Sequence, residues 1–115
     1  MDIRFDQEND IIIVALYGKL ESSSTENLRF ELEQYLDVSE LKMLFDLHGV
    51  DYISSEGMQV LQLLAKSIKD NHGEIIFCNI PEYIRESFDI TGFNQLFKIV
   101  DSKEEAITLL SGLIY

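Results

Sequence analysis

Ile11-Ile12-Ile13-Val14-Ala15-Leu16-Tyr17 is an unbroken apolar run, rich in β-branched residues, that stops at Gly18. That composition suits a buried strand. Ahead of it Ile3 and Phe5 alternate with polar neighbours, and Glu8-Asn9-Asp10 is a turn signal. Residues 3–17 are therefore predicted to form a hairpin. Beyond Gly18 the apolar period lengthens to that of a helix. Leu28, Leu32, Tyr35 and Leu36 fall on one face, behind a start at Ser22-Ser23-Ser24-Thr25-Glu26 in which Ser23 and Glu26 have capping-box spacing. Phe30 lies off that face.

The pattern then repeats. Lys42 to Leu47 reads as a strand. Met58 to Lys69 reads as an amphipathic helix, with Val60, Leu61, Leu64, Ala65 and Ile68 inward and Gln59, Gln62, Lys66 and Lys69 outward. Asn71-His72-Gly73 ends it, with Gly73 suited to a left-handed cap. Glu74 to Asn79 is a fourth strand. Pro81 suits the first turn of a third helix, which runs to about Thr91 and stops at Gly92. Phe97 to Val100 is a short fifth strand. Ser102 and Glu105 form a second capping box, and Ala106, Leu109, Leu110 and Leu113 give the last helix its inner face. The order β-β-α-β-α-β-α-β-α predicts one α/β domain over residues 1–115. Its sheet is mixed but mostly parallel, of about five strands, with an antiparallel hairpin edge and about four helices mainly on one side.

Composition narrows the function. The 115 residues are 46% hydrophobic, enough for one core, and carry 21 acidic against 9 basic side chains, a net charge of −12. Nucleic acid and anionic membranes need positive surface, so neither is expected as a partner; a basic protein surface fits. The acidity also serves solubility. The single cysteine, Cys78, lies in the apolar run Ile75-Ile76-Phe77-Cys78 and reads as an inert core thiol. No charged-then-apolar leader opens the chain, and no apolar stretch approaches the roughly 18 residues that span a bilayer. The expected location is the cytoplasm.

Candidate chemistry converges on Ser54 and Ser55, where the third strand gives way to the second helix. A hydroxyl at a helix start faces free backbone N–H groups and the positive end of the dipole. Such a place suits a cap or a phosphate. Asp46, His48 and Asp51 are metal-ligating types, but no His/Cys cluster backs them, and no metal is expected. His72 reads as a turn residue. There is no Gly-x-Ser-x-Gly elbow and no phosphate-cradling Gly-rich loop with Lys, so an enzyme is not expected.

Three segments carry a resemblance to a known family. They are Gly18-Lys19-Leu20-Glu21 before the Ser/Thr-rich helix start; Leu44-Phe45-Asp46-Leu47 through Tyr52-Ile53-Ser54-Ser55-Glu56-Gly57-Met58; and Ile90-Thr91-Gly92-Phe93-Asn94-Gln95-Leu96-Phe97. In this order and spacing they resemble the STAS domain of bacterial anti-sigma factor antagonists, nearly end to end. The resemblance implies a regulatory binding module with no cofactor. Its partner would be a serine-kinase anti-sigma factor, with the phosphoacceptor at Ser55 (Ser54 as the alternative) and a loop around Asp46 to Asp51. Two positions depart from the family pattern: Ser54 replaces the usual Asp, and Glu56 replaces a small residue. STAS-like domains also serve as accessory subunits of membrane transport systems, so the alternative is a non-phosphorylated accessory subunit or scaffold with a transporter ATPase as its partner. The expected partner surface comprises Glu21, Ser22, Ser23, Ser24, Asp51, Ser54, Ser55, Glu56, Gly57, Met58 and Gln62.

Overall fold

The computed structural model describes residues 1–112. The elements run β1 (Asp2–Glu8), β2 (Ile11–Leu20), α1 (Ser22–Leu36), β3 (Lys42–Ile53), α2 (Ser55–Asp70), β4 (Glu74–Cys78), α3 (Glu82–Ile90), α4 (Phe93–Leu96), β5 (Lys98–Val100) and α5 (Lys103–Ser111). The five strands lie side by side in sequence order. β1 pairs antiparallel with β2, and every later pair is parallel. Parallel neighbours need crossover connections. Because crossovers are right-handed and strands are added in one direction, the connecting helices belong on one face.

Burial follows that rule. Val14, Leu16, Met43, Phe45, Leu47, Ile75 and Phe77 point to the face covered by Leu28 and Leu32 of α1, Leu61, Leu64 and Ile68 of α2, Phe88 of α3 and Phe93 of α4. The alternate positions Ile11, Ile13, Leu44, Ile76 and Cys78 meet Ala106 and Leu110 of α5 on the other face. Strands buried on both faces lose the apolar/polar alternation and read as near-continuous apolar runs, as β2 and β4 show and as Met43–Leu47 of β3 shows apart from Asp46. Phe77 lies at the centre of an edge-to-face cluster, 4.9 Å from Phe93 and 5.3 Å from Phe45, with Phe88 4.7 Å from Phe93. That cluster fixes α3 and α4 against the sheet.

The predicted mixed sheet, its hairpin edge and the placement of helices mainly on one side are observed, with α5 alone among the described helices on the other face. Several local expectations are corrected. Among the described residues there are five helices where about four were expected, because Phe93–Leu96 forms its own turn after Gly92, which takes a left-handed φ of 74°. β3 does not stop at Leu47 but continues to Ile53, so Asp46 to Asp51 is strand and not loop. Pairing with β2 resumes after a bulge, with Ala15 opposite Asp46 and Tyr17 opposite Gly49. The Tyr17 ring lies over Gly49, where any Cβ would collide with it.

At the start of α1 the Ser23–Glu26 box gives way to a reversed one. Glu21 is the N-cap; Ser24 Oγ accepts from the Glu21 N–H at 3.0 Å and donates to the Lys19 carbonyl at 2.8 Å. After α2 the left-handed residue is His72 (φ 63°), not Gly73, whose missing Cβ instead lets the chain pass the Leu41 and Ile68 carbonyls. Val60 is only half-buried, and Leu109 is 40% exposed, so the inner stripe of α5 is narrower than expected. Leu113 lies outside the described residues. Ser102 caps α5 as predicted, accepting from the Glu105 N–H at 3.1 Å. Among the described residues no helix is long and apolar enough to cross a membrane.

Candidate functional site

The C-terminal ends of β2 and β3 close the sheet at one edge, with Leu20 opposite Ile53. Ser54 follows directly. Its N–H donates to the Leu20 carbonyl at 2.9 Å, and its backbone is extended (φ −82°, ψ 170°). This joins the two loops that carry the serine-rich segments. Ser54 is the N-cap of α2: its Oγ accepts from the Gly57 N–H at 3.0 Å, and its carbonyl accepts from the Met58 N–H at 2.9 Å. Removing such a cap exposes an orphan donor. Ser54→Ala is therefore expected to cost about 1 kcal/mol of stability, read as a lower midpoint in urea.

Ser55 is different. It is the first residue inside the helix and it is exposed. Its hydroxyl has no hydrogen-bond partner among the described residues, nor do the N–H groups of Ser55 and Glu56. The helix dipole adds positive potential there, against which Glu56 sets a carboxylate in the first turn. Gly57 is buried, and a Cβ on it would stand 2.6 Å from the Leu20 carbonyl oxygen. Only glycine lets the first turn of α2 sit this close to the end of β2. That contact sets where Ser55 emerges.

A cleft of about 480 Å³ opens beside these serines. Ile53, Ser54, Ser55, Met58, Gln59 and Gln62 form one wall and floor, and Ser87, Ile90 and Thr91 at the end of α3 form the other wall. The α3 wall was not anticipated as part of the site. Its signal is in the helical period: Ile84 and Phe88 are the buried stripe, which leaves Ile90 off that stripe and in solvent.

The expected surface residues separate by depth. Ser22, Ser23, Asp51, Ser55 and Glu56 are exposed, and Glu21, Ser54 and Gln62 are half-buried. Ser24, Gly57 and Met58 are buried. Ser24 ties the loop before α1, Gly57 seats α2, and Met58 floors the cleft, so these three shape the rim from beneath.

Asp46 and His48 share a strand face on β3. The buried Asp46 Oδ1 accepts from the His48 N–H at 3.2 Å and Asn79 Nδ2 at 3.2 Å, and lies 3.0 Å from His48 Nδ1. Asn79 is held with φ 56°. The carboxylate is thus occupied in joining β3 to the end of β4. Among the described residues no group of three or more His, Cys, Asp or Glu side chains is placed to hold a metal. Burial pushes the Cys78 thiol up to about 12, with the nearby Asp46 carboxylate adding to the shift. The group stays a protonated thiol at neutral pH and offers no nucleophile.

The STAS domain profile matches residues 2–106. The chain belongs to the STAS domain family. BtrV of Bordetella bronchiseptica, named for an anti-sigma factor antagonist role, is 35% identical over 106 residues, which cover 92% of this chain and 91% of BtrV. Among solved structures, an anti-sigma factor antagonist from Thermotoga maritima superposes with a TM-score of 0.88 at 19% identity, covering 95% of this chain and 94% of that one. The Bacillus cell fate determinant SpoIIAA in its phosphorylated form superposes with a TM-score of 0.71 at 16% identity, covering 95% and 99%. This STAS domain is thus of the anti-sigma factor antagonist type. The β3–α2 junction with Ser54, Ser55 and Gly57 lies within the matched residues.

Proposed function

We propose that this STAS domain binds a serine-kinase anti-sigma factor through the rim formed by the loops before α1 and α2, and that phosphorylation of Ser55 by that kinase ends the complex. The observation that carries the choice of acceptor is the contrast between neighbours. Ser54 Oγ is engaged as a cap, whereas Ser55 Oγ is exposed and without a partner. The names of the curated relatives as anti-sigma factor antagonists support the partner class. The chain itself catalyses nothing and needs no cofactor. ATP belongs to the kinase. Ser55 Oγ attacks the γ-phosphorus, the bond to the β-phosphate oxygen breaks, ADP leaves, and the hydroxyl proton passes to a base of the kinase.

The fold suits such a switch. A phosphate adds about −1.5 to −2 charge and three acceptor oxygens. At the start of α2 the free N–H groups of Ser55 and Glu56 can receive it, so the backbone need not move. The change then acts on the docked protein. The experiment is incubation with the serine-kinase anti-sigma factor of the same organism and ATP, read by intact mass and peptide mapping. One phosphoryl group on Ser55 is expected, retained in Ser54→Ala and lost in Ser55→Ala. Unmodified protein under conditions where the two proteins bind overturns the switch, and recovery of a transporter ATPase in place of the kinase overturns the partner.

A further inference from the structure

The cleft beside Ser55 does not end there. Gln59 and Gln62 also line a second recess with Leu63 and Lys66, and Leu63 lines a third one, between α1 and α2, with Arg29 and Val60. The three adjoin one another along the outer side of α2 through these shared lining residues. Two large aliphatic side chains stand in solvent along them: Ile90, 77% exposed, at the α3 end, and Leu63, 56% exposed, further along α2. Phe30, 73% exposed, is comparably bare but lies in a separate recess on α1 that shares no lining residue with these.

The charges around the three adjoining recesses are uneven. Lys66 is paired with Asp70 at 2.9 Å and Arg85 with Asp101 at 3.6 Å. Among the described residues Glu56, Glu86 and Asp89, around the Ser55 and Ile90 end, make no ion pair. The net charge of the chain is −12. Arg29 and Lys66 line the Leu63 end, so the uncompensated acidic margin belongs to the Ser55 and Ile90 end, where it matches a protein that presents apolar contacts beside basic side chains.

We infer that Ile90 and Leu63 are the two apolar anchors of the docking surface, with the anti-sigma kinase laid along α2 and its basic side chains facing Glu56, Glu86 and Asp89. This rests on the proposed kinase partnership and assigns it a footprint reaching well beyond the serine loops. In such a footprint buried apolar anchors carry most of the affinity, and the charged margin governs association rate and salt dependence.

The test measures affinity for the purified serine-kinase anti-sigma factor, without ATP, for wild type, Ile90→Asp, Leu63→Asp and Phe30→Asp. All three substituted residues are exposed, and circular dichroism melts check that folding is unchanged. Ile90→Asp and Leu63→Asp are each expected to weaken binding at least tenfold, Phe30→Asp to leave it within twofold, and added salt to weaken wild-type binding. Wild-type binding with Ile90→Asp and Leu63→Asp unaffected overturns the footprint and leaves the partnership standing. An effect of these two on self-association alone, seen by sedimentation, also overturns it. No binding by folded wild type overturns the partnership and the footprint with it.

Discussion

A chain carrying Ser55→Glu is expected to bind the serine-kinase anti-sigma factor roughly 100-fold more weakly than wild type, a loss of about 2.7 kcal/mol. Ser55→Ala is expected to bind within about threefold of wild type, since it removes only one exposed hydroxyl. Isothermal titration calorimetry reads both. The reason lies in what Ser55 must face. For phosphoryl transfer its Oγ has to reach the γ-phosphorus of bound ATP, so the nucleotide's phosphates lie opposite it in the complex. A carboxylate placed there meets like charge in a site closed to water. Charges buried without a partner cost about 3–5 kcal/mol, and part of that is offset here by the free N–H groups of α2. Glu56 already adds one negative charge in the same turn, pointing from the next helical position. A phosphate carries about twice the charge of a carboxylate, so enzymatic modification is expected to shift affinity further than the glutamate does.

Phe77→Ala is expected to cost about 3–5 kcal/mol, against a total stability of roughly 5–15 kcal/mol for a domain of this kind. Phe77 is fully buried in the inner strand β4 and touches the rings of Phe45, Phe88, Phe93 and Phe97. Phe88 and Phe97 are themselves packed against Phe93, which limits how far these rings can move into the space left. Urea unfolding by circular dichroism measures the loss. The effect reaches the site, because Phe88 and Phe93 anchor the helix that carries Ile90. Hydrogen exchange is expected to rise first in α3, whose nine residues have no other deep anchor but Ile84. A uniform loss of protection across the sheet, with α3 spared, would contradict that reading.

The sequence pattern revealed the sheet more fully than the joints. The apolar runs at Ile11–Tyr17 and Ile75–Cys78 are unbroken, and Met43–Leu47 is interrupted only by Asp46, because both faces of those strands are covered, and such runs were legible as buried strands. The extension of β3 through His48-Gly49-Val50-Asp51-Tyr52 was not. Those residues alternate irregularly, because a bulge turns the strand where it passes Tyr17. Helix starts were located to within one or two residues, but the chemistry at α1 was inverted: the acid caps and the serine answers three residues later. Spacing alone cannot tell a box read from Ser23 to Glu26 from one read from Glu21 to Ser24. At the candidate site, the serines and the glycine were visible in the β3–α2 stretch. Which serine is the cap was not, since both have the same side chain and only the backbone geometry of Ser54 distinguishes them. The α3 wall was hidden for a different reason. It is brought to the cleft by packing around Phe77, a contact between segments far apart in the chain.

The most direct measurement compares one preparation before and after treatment with the kinase and ATP, with the phosphoryl group mapped to Ser55 and the affinity for nucleotide-loaded kinase determined for each form. A drop of two orders of magnitude or more on modification, absent when Ser55→Ala is taken through the same treatment, is the expected result. Equal affinity of the modified and unmodified forms would contradict it.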